Sequence, residues 1–246
     1  MSSKFSLQEK SILIIGATSG IGRACAISYA QENAKLFLCG RNSESLQQLK
    51  SDIPDSSLFE VDLSSDEKIE LLVSSLEPVD CIVLVAGIDK RTPLKFISDA
   101  EINNVMQTNL VANIKLIRSL AKTKKIKKGA SIVLIASVAG MLADAGHLLY
   151  GVSKAGIISL ARALAVELAP RKVRVNAISP GLIRTPMTEA FLNDNPELAT
   201  LDSKKYLLGH GEVHSIVDAT QFLLSDASSW ITGTNMVVDG GYSCQK

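Results

Sequence analysis

The sequence predicts a doubly wound α/β fold. Five short apolar runs, SILII, LFLC, CIVLV, SIVLIA and VRVNAI, alternate with longer segments whose apolar residues recur every three or four positions, the pattern of strands separated by helices. The runs are apolar throughout rather than alternating, as parallel strands are when helices cover both faces of the sheet. No repeat or linker interrupts the 246 residues, so 1–246 is expected to be a single domain.

The composition agrees and excludes several classes of function. A hydrophobic content of 46% is enough to fill one large core. Twenty-six basic residues against twenty-five acidic ones leave a net charge of +1, so there is no global field to recruit nucleic acid or an anionic membrane, and neither is expected as a partner. Cys25, Cys39, Cys81 and Cys244 lie in or beside apolar runs or at the tail, without a C-x-x-C pair; no metal site is expected, and a reducing cytoplasm is the expected compartment. The N-terminal MSSKFSLQEK is polar, and no uninterrupted apolar run approaches the roughly 18 residues that suggest a membrane span.

In chain order, the first strand SILII runs into GATSGIGRA, which places Gly16, Gly20 and Gly22 where a strand becomes a helix. Without Cβ atoms in the way, backbone N–H groups and the positive helix end can meet a pyrophosphate. No G-K-[ST] follows, which excludes a P-loop. After the second strand, LFLC, come Gly40, Arg41 and Asn42, where a dinucleotide site distinguishes a ribose 2′-hydroxyl from a 2′-phosphate. An acid would accept from the hydroxyl, whereas Arg41, flanked by Asn42 and Ser43, offers charge-assisted donors to a phosphate. NADP(H) is therefore expected over NAD(H); the other reading of Arg41 is a solvated arginine at a strand end. Asp62, in FEVDL after the third strand, either accepts from an adenine amino group or caps a helix.

The run SIVLIA ends at Ser137, and thirteen residues later Tyr150 opens the helix LLYGVSKAGIISLARALAVELAP, with Lys154 one turn on. The spacing puts phenol and ammonium on one helix face, beside the carboxyl edge of the sheet where open α/β folds bind ligands. An ammonium there favours the phenolate, so Tyr150 is expected to have a lowered pKa. His147 is expected to be a substrate hydrogen-bond partner or pocket wall. His210 and His214 lack further ligands at metal spacing. After VRVNAI, the stretch from Gly181 to Gly211, with Pro186 and Pro196, reads as an irregular excursion over the site, followed by a helix from near Val213.

Taken in order, Gly16-Ala-Thr-Ser-Gly20-Ile-Gly22, Asp62, Ala86-Gly87, Asn109, Ser137, Tyr150-x-x-x-Lys154 and Asn176-Ala-Ile-Ser-Pro180-Gly181 resemble the short-chain dehydrogenase/reductase family over nearly the whole chain. The segments DATQFLLSDASS and WITGTNMVVDGGYS resemble the branch that includes bacterial 3-oxoacyl-acyl-carrier-protein reductases. The resemblance implies a single Rossmann fold, a parallel sheet of about seven strands with helices on both faces. It implies an NADP(H)-dependent oxidoreductase in which Tyr150 is general acid, Ser137 holds the carbonyl oxygen, Lys154 binds the nicotinamide ribose, and Asn109 holds a proton-relaying water. Cofactor contacts are implied for Thr18, Ser19 and Ile21 beside the glycines, Asn42 beside Arg41, and Leu63 beside Asp62. They are implied also for Ala86 and Gly87, and for Pro180, Gly181, Ile183 and Thr185. A homotetramer is implied, with the helical segments 100–122 and 150–169 paired between copies.

The substrate implied is a small carbonyl or secondary alcohol, with an acyl carrier protein as a candidate bearer. Lys127, Lys128, Arg171 and Lys172 are basic residues such an acidic carrier would meet, or else a solvated face. Other alcohols, sugars, steroids and quinones stay open, as does a catalytically silent NADP(H)-sensing protein. An epimerase or dehydratase would be expected to carry an added substrate domain. One departure from the family is Leu84-Val85, where many members have Asn-Asn before Ala-Gly; the supporting amide hydrogen bonds are absent, which puts local stability in question.

Overall fold

Side-chain alternation along β1 (Ser11–Ile15) divides the interior in two. Leu13 and Ile15 enter one hydrophobic core, and Ile12 and Ile14 enter the other, on the opposite face of the sheet. In the computed structural model, which describes residues 3–194 and 203–244, seven strands form one sheet in the order β3-β2-β1-β4-β5-β6-β7. The others are β2 (Lys35–Gly40), β3 (Ser57–Glu60), β4 (Val79–Leu84), β5 (Ile126–Ile135), β6 (Arg174–Pro180) and β7 (Asn235–Val238). All pairings are parallel.

Helices cover both faces, as uniformly apolar strands require. One core joins α3 (Asp66–Ser75), α5 (Ala112–Lys122) and α6 (Leu148–Leu168) to the sheet; the other joins α1 (Gly20–Gln31), α2 (Ser43–Asp52) and the C-terminal α8 (Val213–Leu224). By length and hydropathy α6 could cross a membrane. Instead its face of Ile157, Ala161, Ala165 and Leu168 is buried in the first core. Between α4 (Asp99–Met106) and α5 the helical chain takes one π-helical turn, Gln107–Val111, which carries Asn109.

Strand order reverses between β1 and its neighbours β2 and β4, and open α/β sheets bind ligands in the crevice at the carboxyl ends of such strands. The expected weakness at Leu84-Val85 is met by the backbone: the N–H groups of Val85 and Ala86 both donate to the Ile15 carbonyl, at 3.0 and 3.1 Å. The expected excursion 181–211 is less irregular than its sequence reads. Thr185 and Pro186 start a helix, α7 (Pro186–Asp194), proline being well suited to a first helical position. Residues 195–202, including Pro196, lie outside the described residues.

Candidate active site

The glycine turn leaves room for a ligand only because it is glycine. Gly16 has a φ of +89°, and a Cβ there would stand 2.8 Å from the Ala86 nitrogen. A Cβ on Gly22 would come within 2.1 Å of the Gly16 carbonyl oxygen, so Gly22 holds helix against turn. Ser19 precedes α1 without capping it through its side chain, which leaves the first-turn N–H groups available to an anion. The cavity at this edge has a volume of about 290 Å³. Gly16, Thr18, Ser19 and Ile21 line it; Gly20 and Gly22 do not.

At its far end lie Arg41, Asp62 and Leu63. Asn42 lies outside the lining, and its side chain caps α2 by accepting from the Ser45 N–H at 2.7 Å. The helix-capping reading of Asp62 is overturned, because Ser65 caps α3. Asp62 instead accepts from the N–H and hydroxyl of Ser64, at 2.9 and 2.8 Å, and these bonds, more than the nearby Arg41 charge, lower its pKa.

The reactive groups stand on the other wall. Ser137 follows β5 and Tyr150 and Lys154 lie on the first turns of α6; all three line the cavity, and the Ser137 hydroxyl accepts from the Ala139 N–H at 3.1 Å. Lys154, 4% exposed, donates to the Ile135 carbonyl at 2.8 Å, with Nζ 5.6 Å from the Tyr150 ring centroid. Asn109 is buried outside the lining. It receives the Ile88 N–H at 2.8 Å and donates to the Ile88 carbonyl and the Ser153 hydroxyl, each at 3.0 Å. A Cβ on Gly87 would come 3.3 Å from Asn109 Oδ1 and 3.4 Å from Lys154 Nζ, so glycine keeps the gap between them open.

The lowered tyrosine pKa expected from sequence needs correction. Burial pushes the Tyr150 phenol up to about 12; the charge of Asp89 pushes the same way, and the Ser137 hydrogen bond opposes them. Burial brings Lys154 down to about 8, with Asp89 opposing. Lys154 is buried with its ammonium held by a carbonyl and Tyr150 is half-buried among protein atoms, so desolvation dominates both shifts.

Ala86, Gly87, Pro180, Gly181, Ile183 and Thr185 line the same cavity. Thr188, on α7, organises this side: its hydroxyl donates to the Ile183 carbonyl at 2.6 Å and accepts from the Thr185 N–H at 2.9 Å. Sequence reasoning did not single out Thr188, Thr108 or Asp89, all of which line the cavity. The signal for Asp89 was a charge two residues beyond Ala86-Gly87, at the carboxyl end of a central strand.

His147 is buried but is not a lining residue. Its Nε2 accepts from Arg91 Nε at 2.8 Å and lies 3.3 Å from Asp89 Oδ1, and its ring centroid is 5.7 Å from that of Tyr150. The basic residues offered for a carrier protein fall elsewhere. Lys127 and Lys128 belong to the amino end of β5, and Arg171 and Lys172 precede β6, whereas the cavity is at the carboxyl edge. Lys127 pairs with Asp80 at 2.8 Å, and Arg171 donates to the Ile126 carbonyl.

The arrangement joins an anion-binding turn to a pair of hydroxyls and a buried lysine, suited to holding a dinucleotide beside a carbonyl. The family described as enoyl-(acyl carrier protein) reductase matches residues 16–243. The 3-oxoacyl-[acyl-carrier-protein] reductase FabG of Rickettsia bellii is 34% identical over 236 residues, covering 96% of this chain and 97% of that protein. Among solved structures, 4-hydroxyisoleucine dehydrogenase complexed with NADH has a TM-score of 0.89 at 36% identity, covering 96% of this chain and 100% of that one. A short-chain type dehydrogenase/reductase from Mycobacterium marinum has a TM-score of 0.89 at 30% identity, covering 98% of each chain.

Proposed function

The chain belongs to the short-chain dehydrogenase/reductase family, a family of oxidoreductases that bind a nicotinamide cofactor, and from that premise we propose that it interconverts a carbonyl and a secondary alcohol with NADP(H). The observation that carries this reading is the single cavity that the Ser137 and Tyr150 side chains share with Lys154 and the glycine turn. The cradle fits a dinucleotide, because a Cβ at Gly16 or Gly22 would fill it or displace its helix.

A bound nicotinamide supplies the hydride in reduction and takes it in oxidation. The protein supplies the proton and the geometry. Ser137 donates to the carbonyl oxygen, and Tyr150, held protonated by burial, delivers its phenolic proton as negative charge develops there. In oxidation the same phenol must first lose its proton, which burial and Asp89 both oppose. Lys154, anchored on Ile135, would hold the ribose, and the space kept free by Gly87 between Lys154 and Asn109 would admit a relay water.

Arg41 supports a preference for NADP(H), since it lines the cavity at the end where a 2′-phosphate would be read. The Rickettsia relative brings a 3-oxoacyl thioester on a carrier protein forward as one candidate substrate. The buried free thiols Cys25, Cys39 and Cys81 support a reducing, cytoplasmic setting. A panel of ketones, acyl thioesters and alcohols, assayed with both cofactors, tests the reading. NADPH-dependent carbonyl reduction is the expected result; cofactor binding without turnover of any carbonyl or alcohol would overturn it in favour of a cofactor sensor.

A further inference from the structure

Asp89 is a charged acceptor on a wall otherwise furnished with donors. It lines the cavity with Ser137, Tyr150 and Lys154. Its side chain keeps 31% of its surface exposed. The segment that carries it is fixed against the start of α6: the Thr92 N–H donates to the Gly146 carbonyl at 2.9 Å, and Arg91 Nε donates to His147 Nε2 at 2.8 Å. Gly146, with a φ of +82°, takes the backbone conformation that this approach needs.

The Asp89 carboxylate keeps acceptor capacity beyond its contact with His147. Asp89 Oδ1 lies 3.3 Å from His147 Nε2, within ion-pair distance when the ring is protonated, which leaves the second carboxylate oxygen as an acceptor on the cavity wall. Among the described residues, the neighbouring Lys154 ammonium donates to the Ile135 carbonyl and not to Asp89. An aliphatic substrate would cover the carboxylate and give it nothing in return for its lost water, a penalty that a hydroxyl on the substrate removes.

We propose that Asp89 is a specificity-determining residue that accepts a hydrogen bond from a substrate hydroxyl on the carbon beside the reacting carbonyl. The substrate class is then an α-hydroxyketone, or a vicinal diol in the direction of oxidation. His147 and Arg91 are positioning residues that hold this wall. The inference rests on the carbonyl–alcohol reading above and refines it. The distant placement of Lys127, Lys128, Arg171 and Lys172 agrees with a substrate recognised by its own polar groups rather than through a carrier.

The test compares acetoin with butanone, which lacks only the hydroxyl, in NADPH-dependent reduction by the wild type, Asp89→Leu and Asp89→Asn, with NADPH binding as the check on folding. The wild type is expected to favour acetoin by on the order of 10²-fold in kcat/KM, as sites built around a substrate hydroxyl reject the analogue without it. Asp89→Leu is expected to bring the two within a few-fold of each other while still reducing butanone. Should Asp89→Leu fail to bind NADPH, the same loss of preference is required of Asp89→Asn, at least in part. Equal kcat/KM for the two ketones in the wild type, turnover confined to ketones without the hydroxyl, or a preference unmoved in every variant that binds NADPH would overturn the role of Asp89. Absence of turnover with every carbonyl and alcohol is a different result, which overturns the carbonyl–alcohol reading itself.

Discussion

Lys154 donates its ammonium to the Ile135 carbonyl at 2.8 Å, so a buried cation of α6 is tied to the end of the strand that leads to Ser137. One contact registers helix against strand and fixes the lysine beside the phenol. It does so at a cost to stability, because burial lowers the Lys154 pKa from an ordinary 10.5 to about 8.

That cost gives the first prediction. At about 1.4 kcal/mol per pKa unit, the shift corresponds to a penalty of about 3 kcal/mol, which loss of a partner for Ile135 would reduce. Lys154→Met should therefore be more stable than the wild type at pH 7 while losing turnover. Below pH 8 the lysine is charged in both folded and unfolded chains, and the full penalty applies. Between pH 8 and 10.5 the unfolded chain holds the proton more tightly, so the wild type gains stability as pH rises and the difference should shrink. Urea unfolding at pH 7 and pH 10 checks this; a variant less stable at pH 7 would contradict it.

Asp89 gives the second. Its charge raises the pKa of both Tyr150 and Lys154, so Asp89→Asn should lower both. With His147 and Arg91 left in place, the pH above which reduction declines should move downward, as should the pH at which alcohol oxidation rises. The pH dependence of kcat/KM in each direction measures this. Unmoved limbs would show that the carboxylate does not act on the proton donors.

Much of this site was legible in the sequence, and the part that was not has a common cause. Gly16, Gly22, Tyr150 and Lys154 could be read because their roles follow from local geometry, a strand-to-helix turn and one turn of helix. Strand runs such as SIVLIA were equally plain because both faces are buried. Asp89 was not legible, since its place beside Tyr150 depends on the segment 88–92 folding onto Gly146 and His147, more than fifty residues away. The direction of the Tyr150 shift was misread for a related reason: helical spacing places a charge but says nothing of how far water is excluded. Asn42 and Asp62 show the ambiguity of short polar residues after strands, which serve caps and turns as readily as ligands.

Arg41 gives the third prediction. Arg41→Asp replaces a donor to a 2′-phosphate with a repelling charge, and should weaken NADPH binding by about 10²-fold while NADH binding improves or holds. Fluorescence titration of each reduced cofactor checks it. Equal wild-type affinity for NADPH and NADH would contradict the proposed preference.

Assembly gives the fourth. Val152 and Val166 on α6 are 54% and 76% exposed, and Ile114 on α5 is 43% exposed, so the two helices expected to pair between copies carry uncovered apolar residues. A sedimentation mass four times the 26.3 kDa of one chain is expected at micromolar concentration. The mass of a single chain would contradict it.

The central claim is that the Tyr150 phenol delivers the proton, and its most direct test is Tyr150→Phe. The ring can pack as before, and only the hydroxyl with its transferable proton is lost. Carbonyl reduction and NADPH affinity should be measured on the same preparation. Loss of turnover by about 10³-fold or more, with NADPH affinity within a few-fold of wild type, is the predicted result. Substantial carbonyl reduction by the variant would contradict it, placing the proton donor elsewhere in the site, with His147, 5.7 Å from the Tyr150 ring, the first group to replace.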